Sequence, residues 1–174
     1  MRKASDLGFT RRLVFGLLSG TAGTAAMDVL LYTRYRRDGG GDPFWKWEFA
    51  EGVKKWDDAP APGQLGRKLE EVVTQRPAPD GWARSTTNVV HWATGSGWGL
   101  QYGVLSGKTA EHRWTLALTL GPAAWLTSYV VLPLAKVYKP IWDYDRRTLA
   151  QDFSAHVLYG LTTATTFAVL TRTW

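Results

Sequence analysis

Three long stretches of this chain contain no aspartate, glutamate, lysine or arginine. They are 85–107, 114–135 and 153–171, and a fourth apolar stretch runs from 13 to 33, interrupted only by Asp28. Charged residues make up 21% of the chain, so runs of this length are not accidents of composition. A helix needs about 20 mostly apolar residues to cross ~30 Å of hydrocarbon. The sequence therefore predicts an all-α, polytopic membrane protein with four transmembrane helices, at 13–33, 85–106, 114–135 and 149–171, in a single domain over 1–174.

The mean hydropathy of −0.21 is that of a soluble protein. The average is low because the runs are rich in glycine, alanine, serine, threonine and tryptophan, and because the segment 35–84 is strongly polar. Small residues suit membrane helices that pack closely together. The prediction of membrane helices therefore rests on the composition of each run and not on the mean hydropathy of the whole chain.

The segment 35–84 is predicted to be a partly helical extramembrane loop. Within 44–56, the apolar residues recur at roughly helical spacing, which is typical of a helix in the membrane interface or of a short helix capping the bundle. A second short helix is expected at 64–74. The first span opens after a basic N-terminus, and small residues at 22–26 leave a cleaved signal peptide as an alternative.

Four spans place both termini on one side of the membrane. Trp82 and Trp142 are predicted at one set of helix ends and Trp114 and Trp174 at the other, as in an aromatic belt. Basic residues are nearly balanced between the two sides, so the orientation stays open. We expect a multi-pass protein of the inner (plasma) membrane, with cytoplasmic termini as the favoured orientation.

The net charge of +6 does not indicate nucleic-acid binding, because the basic residues are spread along the chain and interleaved with acidic ones, whereas nucleic-acid binders cluster them. With no cysteine, thiol chemistry and thiolate metal sites are excluded. Paired catalytic carboxylates, a phosphate-binding glycine loop and a nucleophile elbow are absent from the sequence. No reaction is indicated, the expectation leans against an enzyme, and any cofactor is unknown.

Glycines recur at spacing four in three of the predicted spans. They are Gly16 and Gly20 in the first, Gly95, Gly99 and Gly103 in the second, and Gly160 in the fourth. This spacing lets helix backbones approach closely. These residues are predicted to form the helix-packing faces.

In these three spans, small residues at spacing four form a ridge along one face of the helix. Each of these small-residue ridges has an ionisable residue at one end, namely Asp28, His91 or His156. The chain directions put all three near the long-loop side, so they are predicted to converge inside the bundle. Two imidazoles and a carboxylate can bind a divalent ion or relay protons, and the two histidines suit haem ligation. The alternative is that each residue only forms a hydrogen bond across helices. Asp152 is predicted in the first turn of the fourth helix, where an acid favours the helix dipole.

The segments 88–91, 101–105 and 156–160, which read Asn-Val-Val-His, Gln-Tyr-Gly-Val-Leu and His-Val-Leu-Tyr-Gly, resemble the bacterial YagU-like inner-membrane protein family. The resemblance implies a polytopic bacterial membrane protein with cytoplasmic termini, whereas the charged long loop departs from the family.

The expected function is a non-enzymatic accessory or scaffold subunit of a membrane complex. Its partners would be the lipid bilayer and other membrane subunits or itself. The alternative is a small transporter or a protein that handles ions or protons through Asp28, His91 and His156.

Overall fold

A computed structural model describes residues 8–108 and 113–173. All regular elements in this part of the chain are helical, which confirms the all-α part of the predicted fold class. The α-helices are α1 (Phe9–Arg37), α2 (Phe44–Glu48), α3 (Ala61–Thr74), α4 (Ala83–Lys108), α5 (Arg113–Leu134) and α6 (Arg146–Thr173). The predicted turn between the second and third spans, and the predicted belt positions of the Trp114 and Trp174 side chains, lie outside the described residues.

Three of these helices are long and apolar enough to cross a membrane. They are Phe9–Arg37, Thr115–Leu134 and Arg146–Arg172. Helix α4 has the length of a span but is not among the three, because glycine, serine, threonine, asparagine and glutamine lower its hydropathy. Four long helices thus form where the sequence predicts them, and three have the composition of a membrane span.

By backbone contacts the described chain divides into two compact units. The first comprises Met1–Leu30, Thr94–Thr127 and Asp145–Trp174, and the second comprises Leu31–Ala93 and Ser128–Tyr144. Three helices, α1, α4 and α5, contribute residues to both units. The prediction of a single domain stays a prediction.

The first unit is built around close helix contacts and a small aromatic core. Tyr102, Tyr159 and Phe167 are buried together, and the rings of Tyr102 and Phe167 meet edge to face at 5.6 Å. The Tyr159 hydroxyl donates a 2.6 Å hydrogen bond to the carbonyl of Gly95, which ties α6 to α4. Leu17, Leu118 and Leu161 point outward, as expected of helices whose outer faces meet lipid.

The second unit has its own core around Trp56. Its indole Nε1 donates a 2.9 Å hydrogen bond to the carbonyl of Ala78, and Val53, Ala59 and Ala83 pack around it. The prediction of one apolar helix through 44–56 is therefore wrong. Helix α2 ends at Glu48, the backbone of Ala50 turns into the left-handed region (φ 48°), and Val53 and Trp56 become core residues. The second short helix is confirmed as α3.

Candidate functional site

A carboxylate and an imidazole come together in the second unit. Glu48 is the last residue of α2 and His91 lies in the third turn of α4, and their ligand atoms lie within 4.8 Å of each other. Both residues are half-buried. A carboxylate oxygen and an imidazole nitrogen at this separation suit a shared divalent cation or a shared proton.

Helix α2 is held at this position by hydrogen bonds from α4. Arg84 Nε and Asn88 Nδ2 both donate to the carbonyl of Phe49, the residue that directly follows α2, at 3.0 and 3.1 Å. Arg84 also lies 3.7 Å from the carboxylate of Glu51. Residues 84, 88 and 91 share one face of a helix. The contacts that fix the end of α2 and the imidazole of His91 therefore lie on the same face of α4.

Aromatic rings at the end of α1 also pack against α2. Tyr32 and Tyr35, in the last turns of α1, pack against Trp47 with ring centroids 5.5 and 5.9 Å away, and Phe44 meets Tyr32 edge to face. The hydroxyls of both tyrosines reach Asp42 just before α2, at 3.0 and 3.1 Å. This five-residue helix is too short to be stable alone, so these rings and the bonds to Phe49 determine where Glu48 lies.

Asp28 is 2% exposed, on α1 in the first unit. It follows Gly16, Gly20 and Thr24 at spacing four, and within the first unit this ridge packs against α4. A Cβ on Gly16 would lie 2.7 Å from the carbonyl oxygen of Gly99, and Thr24 fills the space beside Gly95. Asp28 therefore continues a ridge whose earlier members face α4.

His156 makes its polar contacts within its own helix. Its Nδ1 lies 3.0 Å from the carbonyl oxygen and 3.4 Å from the carboxylate of Asp152, one turn earlier on α6. The expected position of Asp152 in the first turn of this helix is wrong, since α6 begins at Arg146 and Asp145 precedes it. Among the described residues, His156 joins no group of three acidic or histidine side chains close enough to share a metal ion.

The predicted glycine faces pack against other helices of the same chain. In the first unit, Gly20 of α1 meets Gly95 and Gly99 of α4, and Gly103 meets Gly16. Gly160 of α6 instead meets Gly121 of α5, where an added Cβ would lie 2.7 Å from a backbone nitrogen. Gly23, which the sequence reading did not select, meets Tyr159 and Thr163 of α6. The convergence of Asp28, His91 and His156 as a trio stays a prediction.

Sequence reasoning missed Glu48 as a site residue. Its spacing in 44–56 puts it on the polar side of the predicted interfacial helix, whereas in the structure the hydrogen bonds from Arg84 and Asn88 to Phe49 hold the end of α2 against α4. No protein-family model, no curated protein and no solved structure matches this chain. The resemblance to the YagU-like family therefore remains an expectation based on short motifs.

Proposed function

We propose that this chain is a multi-pass membrane protein that binds and handles a divalent transition-metal cation. The observation that carries the proposal is the Glu48 carboxylate and the His91 imidazole within 4.8 Å of each other in the second unit. Mixed oxygen and nitrogen donors favour ions such as Zn²⁺ and Mn²⁺ over the oxygen-only coordination preferred by Ca²⁺ and Mg²⁺. The half-buried setting limits competition from bulk water.

Asp28 is the third ligand that the sequence predicts beside His91, because each of them ends a ridge of small residues at spacing four. A second carboxylate would add an oxygen donor to the oxygen and nitrogen donors of Glu48 and His91.

The proposed topology has four spans, with α4 as the fourth. Its pairing with α1 along a glycine ridge in the first unit supports this, as do its outward-facing Val89 and Leu105. An intramembrane ionisable residue in a bundle of this kind is usually functional. A cation site near the long-loop side would then serve uptake, release or sensing at one face of the inner membrane.

The second candidate function is an accessory or scaffold subunit that packs against other membrane proteins. The outward-facing rings of Trp45 and Phe49 favour it, because they stack at 5.8 Å on the surface of the loop. The glycine ridges give the scaffold proposal less support than expected, because they already pack against helices of the same chain.

The experiment is cation binding by the protein purified in lipid nanodiscs, measured by calorimetry with Zn²⁺ and Mn²⁺. Glu48→Gln and His91→Ala should each weaken binding about tenfold or more, since even outer-shell partners of a metal site contribute 10–100-fold. His156→Ala is the matched control and should bind normally. Absence of binding, or equal binding by all variants, would refute the cation proposal, and unrelated subunits copurifying with the protein would then favour the scaffold.

A further inference from the structure

Helix α3 packs one face against the start of α4. Gly63 meets Thr87, and Gly66 meets Thr86 and Val90, where a Cβ added to Gly66 would lie 2.9 Å from Val90 Cγ2. Both glycines are buried. Because glycine has no side chain, α3 lies directly on α4, and this face of α3 is covered by α4 within the second unit.

A neighbouring face of α3 is an exposed apolar stripe. Leu69, Val72 and Val73 are 55%, 68% and 81% exposed. With Leu65 they occur at positions i, i+4, i+7 and i+8, which is one continuous face of an α-helix. The four charged residues of α3 lie outside that stripe. They are Arg67, Lys68, Glu70 and Glu71.

The polar side of α3 is fixed by contacts inside the second unit. Arg67 Nε donates a 2.9 Å hydrogen bond to Glu71, and its guanidinium lies 5.9 Å from the centre of the Trp56 ring. The Glu71 carboxylate also accepts a 3.5 Å bond from the backbone N–H of Ala78. These contacts set the rotation of α3 about its own axis, so its apolar stripe cannot turn inward without breaking them.

We infer that α3 is an interfacial helix whose Leu69, Val72 and Val73 insert into the headgroup–acyl boundary of the bilayer. Three helices of this chain have the length and composition of membrane spans. In the second unit, Trp82 just before α4 and Val89 in its second turn are exposed, and tryptophan is enriched at the level of the headgroups. A helix with a continuous apolar face, flanked by Lys68 and Arg76, matches the pattern of a helix lying in an anionic membrane surface.

The chain contains no cysteine, so single nitroxide labels can test this inference without removing native thiols. Leu69→Cys and Val73→Cys place the label on the apolar stripe. Thr74→Cys is the matched control, because it is the next residue, is also exposed, and lies on the polar side of the same helix. Each labelled full-length protein is reconstituted into vesicles of phosphatidylcholine with one-quarter phosphatidylglycerol.

Power-saturation spectroscopy then compares collision with oxygen, which partitions into lipid, with collision with a water-soluble nickel chelate. The labels at 69 and 73 should collide mainly with oxygen, and the label at 74 mainly with the chelate. Chelate-accessible labels at all three sites would mean that α3 lies in water and would overturn the inference. Labels at 69 and 73 shielded from both reagents would overturn it in favour of a protein cover. The result does not depend on the cation site, so either proposal can fail alone.

Discussion

Gly20 of α1 and Gly99 of α4 meet backbone to backbone in the first unit. A Cβ added to Gly20 would lie 2.8 Å from the Cα of Gly99 and 2.6 Å from the carbonyl oxygen of Gly95. Backbone atoms cannot give way as the end of a flexible side chain can. This contact therefore has no room for even one methyl group, and it fixes the separation and register of α1 and α4.

Gly99→Ala should destabilise the protein by about 1–3 kcal/mol, the usual cost of overpacking a filled contact. Gly97→Ala is the control, because nothing lies within 4 Å of a Cβ at that position of the same helix, and alanine is the better helix former. Thermal unfolding in detergent measures both. Equal midpoints for the two variants would contradict the packing described here.

Trp56→Phe should destabilise the second unit by roughly 1–3 kcal/mol, because it leaves the buried carbonyl of Ala78 without its indole donor. Trp45→Phe is the matched change at an exposed tryptophan and should have little effect. Near-ultraviolet circular dichroism on heating follows both. If the Trp45 variant were the less stable, the assignment of Trp56 as the centre of this core would be wrong.

Asp145 caps α6, and its contribution to stability should depend on pH. Hydrogen bonds from the side chain and backbone of Thr148 hold the pKa of the Asp145 carboxyl below its ordinary value of 3.8. A lowered pKa in the folded state means that the stabilisation is fully present above pH 3.8 and is lost as the pH falls through the lowered value. Asp145→Ala should therefore lower the unfolding midpoint at pH 6 and converge with the wild type in acid. Asp143→Ala, which removes a carboxylate just before the cap, serves as the control. If the midpoint of Asp145→Ala stayed below that of the wild type by the same amount in acid, Asp145 would not act as a cap.

Reporter fusions decide whether α4 crosses the membrane. With four spans, fusions at residues 60 and 174 report opposite compartments, since three crossings lie between them. With only the three apolar helices Phe9–Arg37, Thr115–Leu134 and Arg146–Arg172 as spans, both fusions report the same compartment. We expect opposite compartments. A fusion at residue 110 is the control, because two crossings separate it from residue 174 in either topology and the two fusions should agree.

Asp28→Asn tests the third proposed ligand separately from the other two. Asparagine keeps the shape of the side chain but removes its charge, so Zn²⁺ binding should weaken while the fold persists. Thermal unfolding in the presence and absence of Zn²⁺ measures both properties, since a bound ligand raises the midpoint by mass action. Asp152→Asn, beside His156 on α6, should keep the full Zn²⁺-induced shift. A full shift in Asp28→Asn as well would remove Asp28 from the site.

The positions of the long helices could be read from the sequence. The charge-free runs predict helices at 13–33, 85–106, 114–135 and 149–171. Helices α1, α4 and α6 extend beyond their predicted runs at both ends, and α5 ends one residue before its run does. This works because a run without charges and with small or apolar residues meets the local requirement of a membrane helix, whichever neighbour it later packs against.

The candidate site was only partly predictable. His91 could be predicted because it ends a ridge of small residues, a pattern visible within one helix. Glu48 has no such signal, because its position depends on the hydrogen bonds that Arg84 and Asn88 donate to Phe49. His156 carries the same signal as His91, yet the structure pairs it with Asp152.

The sequence by itself determined that this chain is helical, where its long helices lie and which of their faces carry small residues, since these follow from local hydrogen bonding and residue size. Only the tertiary structure decided that Gly20 meets Gly99 while Gly160 meets Gly121, that Trp56 is a core residue, and that Glu48 lies beside His91. Those pairings depend on which complementary surfaces meet across long stretches of chain. Several helices carry small-residue faces of similar pattern, so more than one pairing is possible. The free energy of packing selects one pairing, and it depends on both partner helices and not on either helix alone.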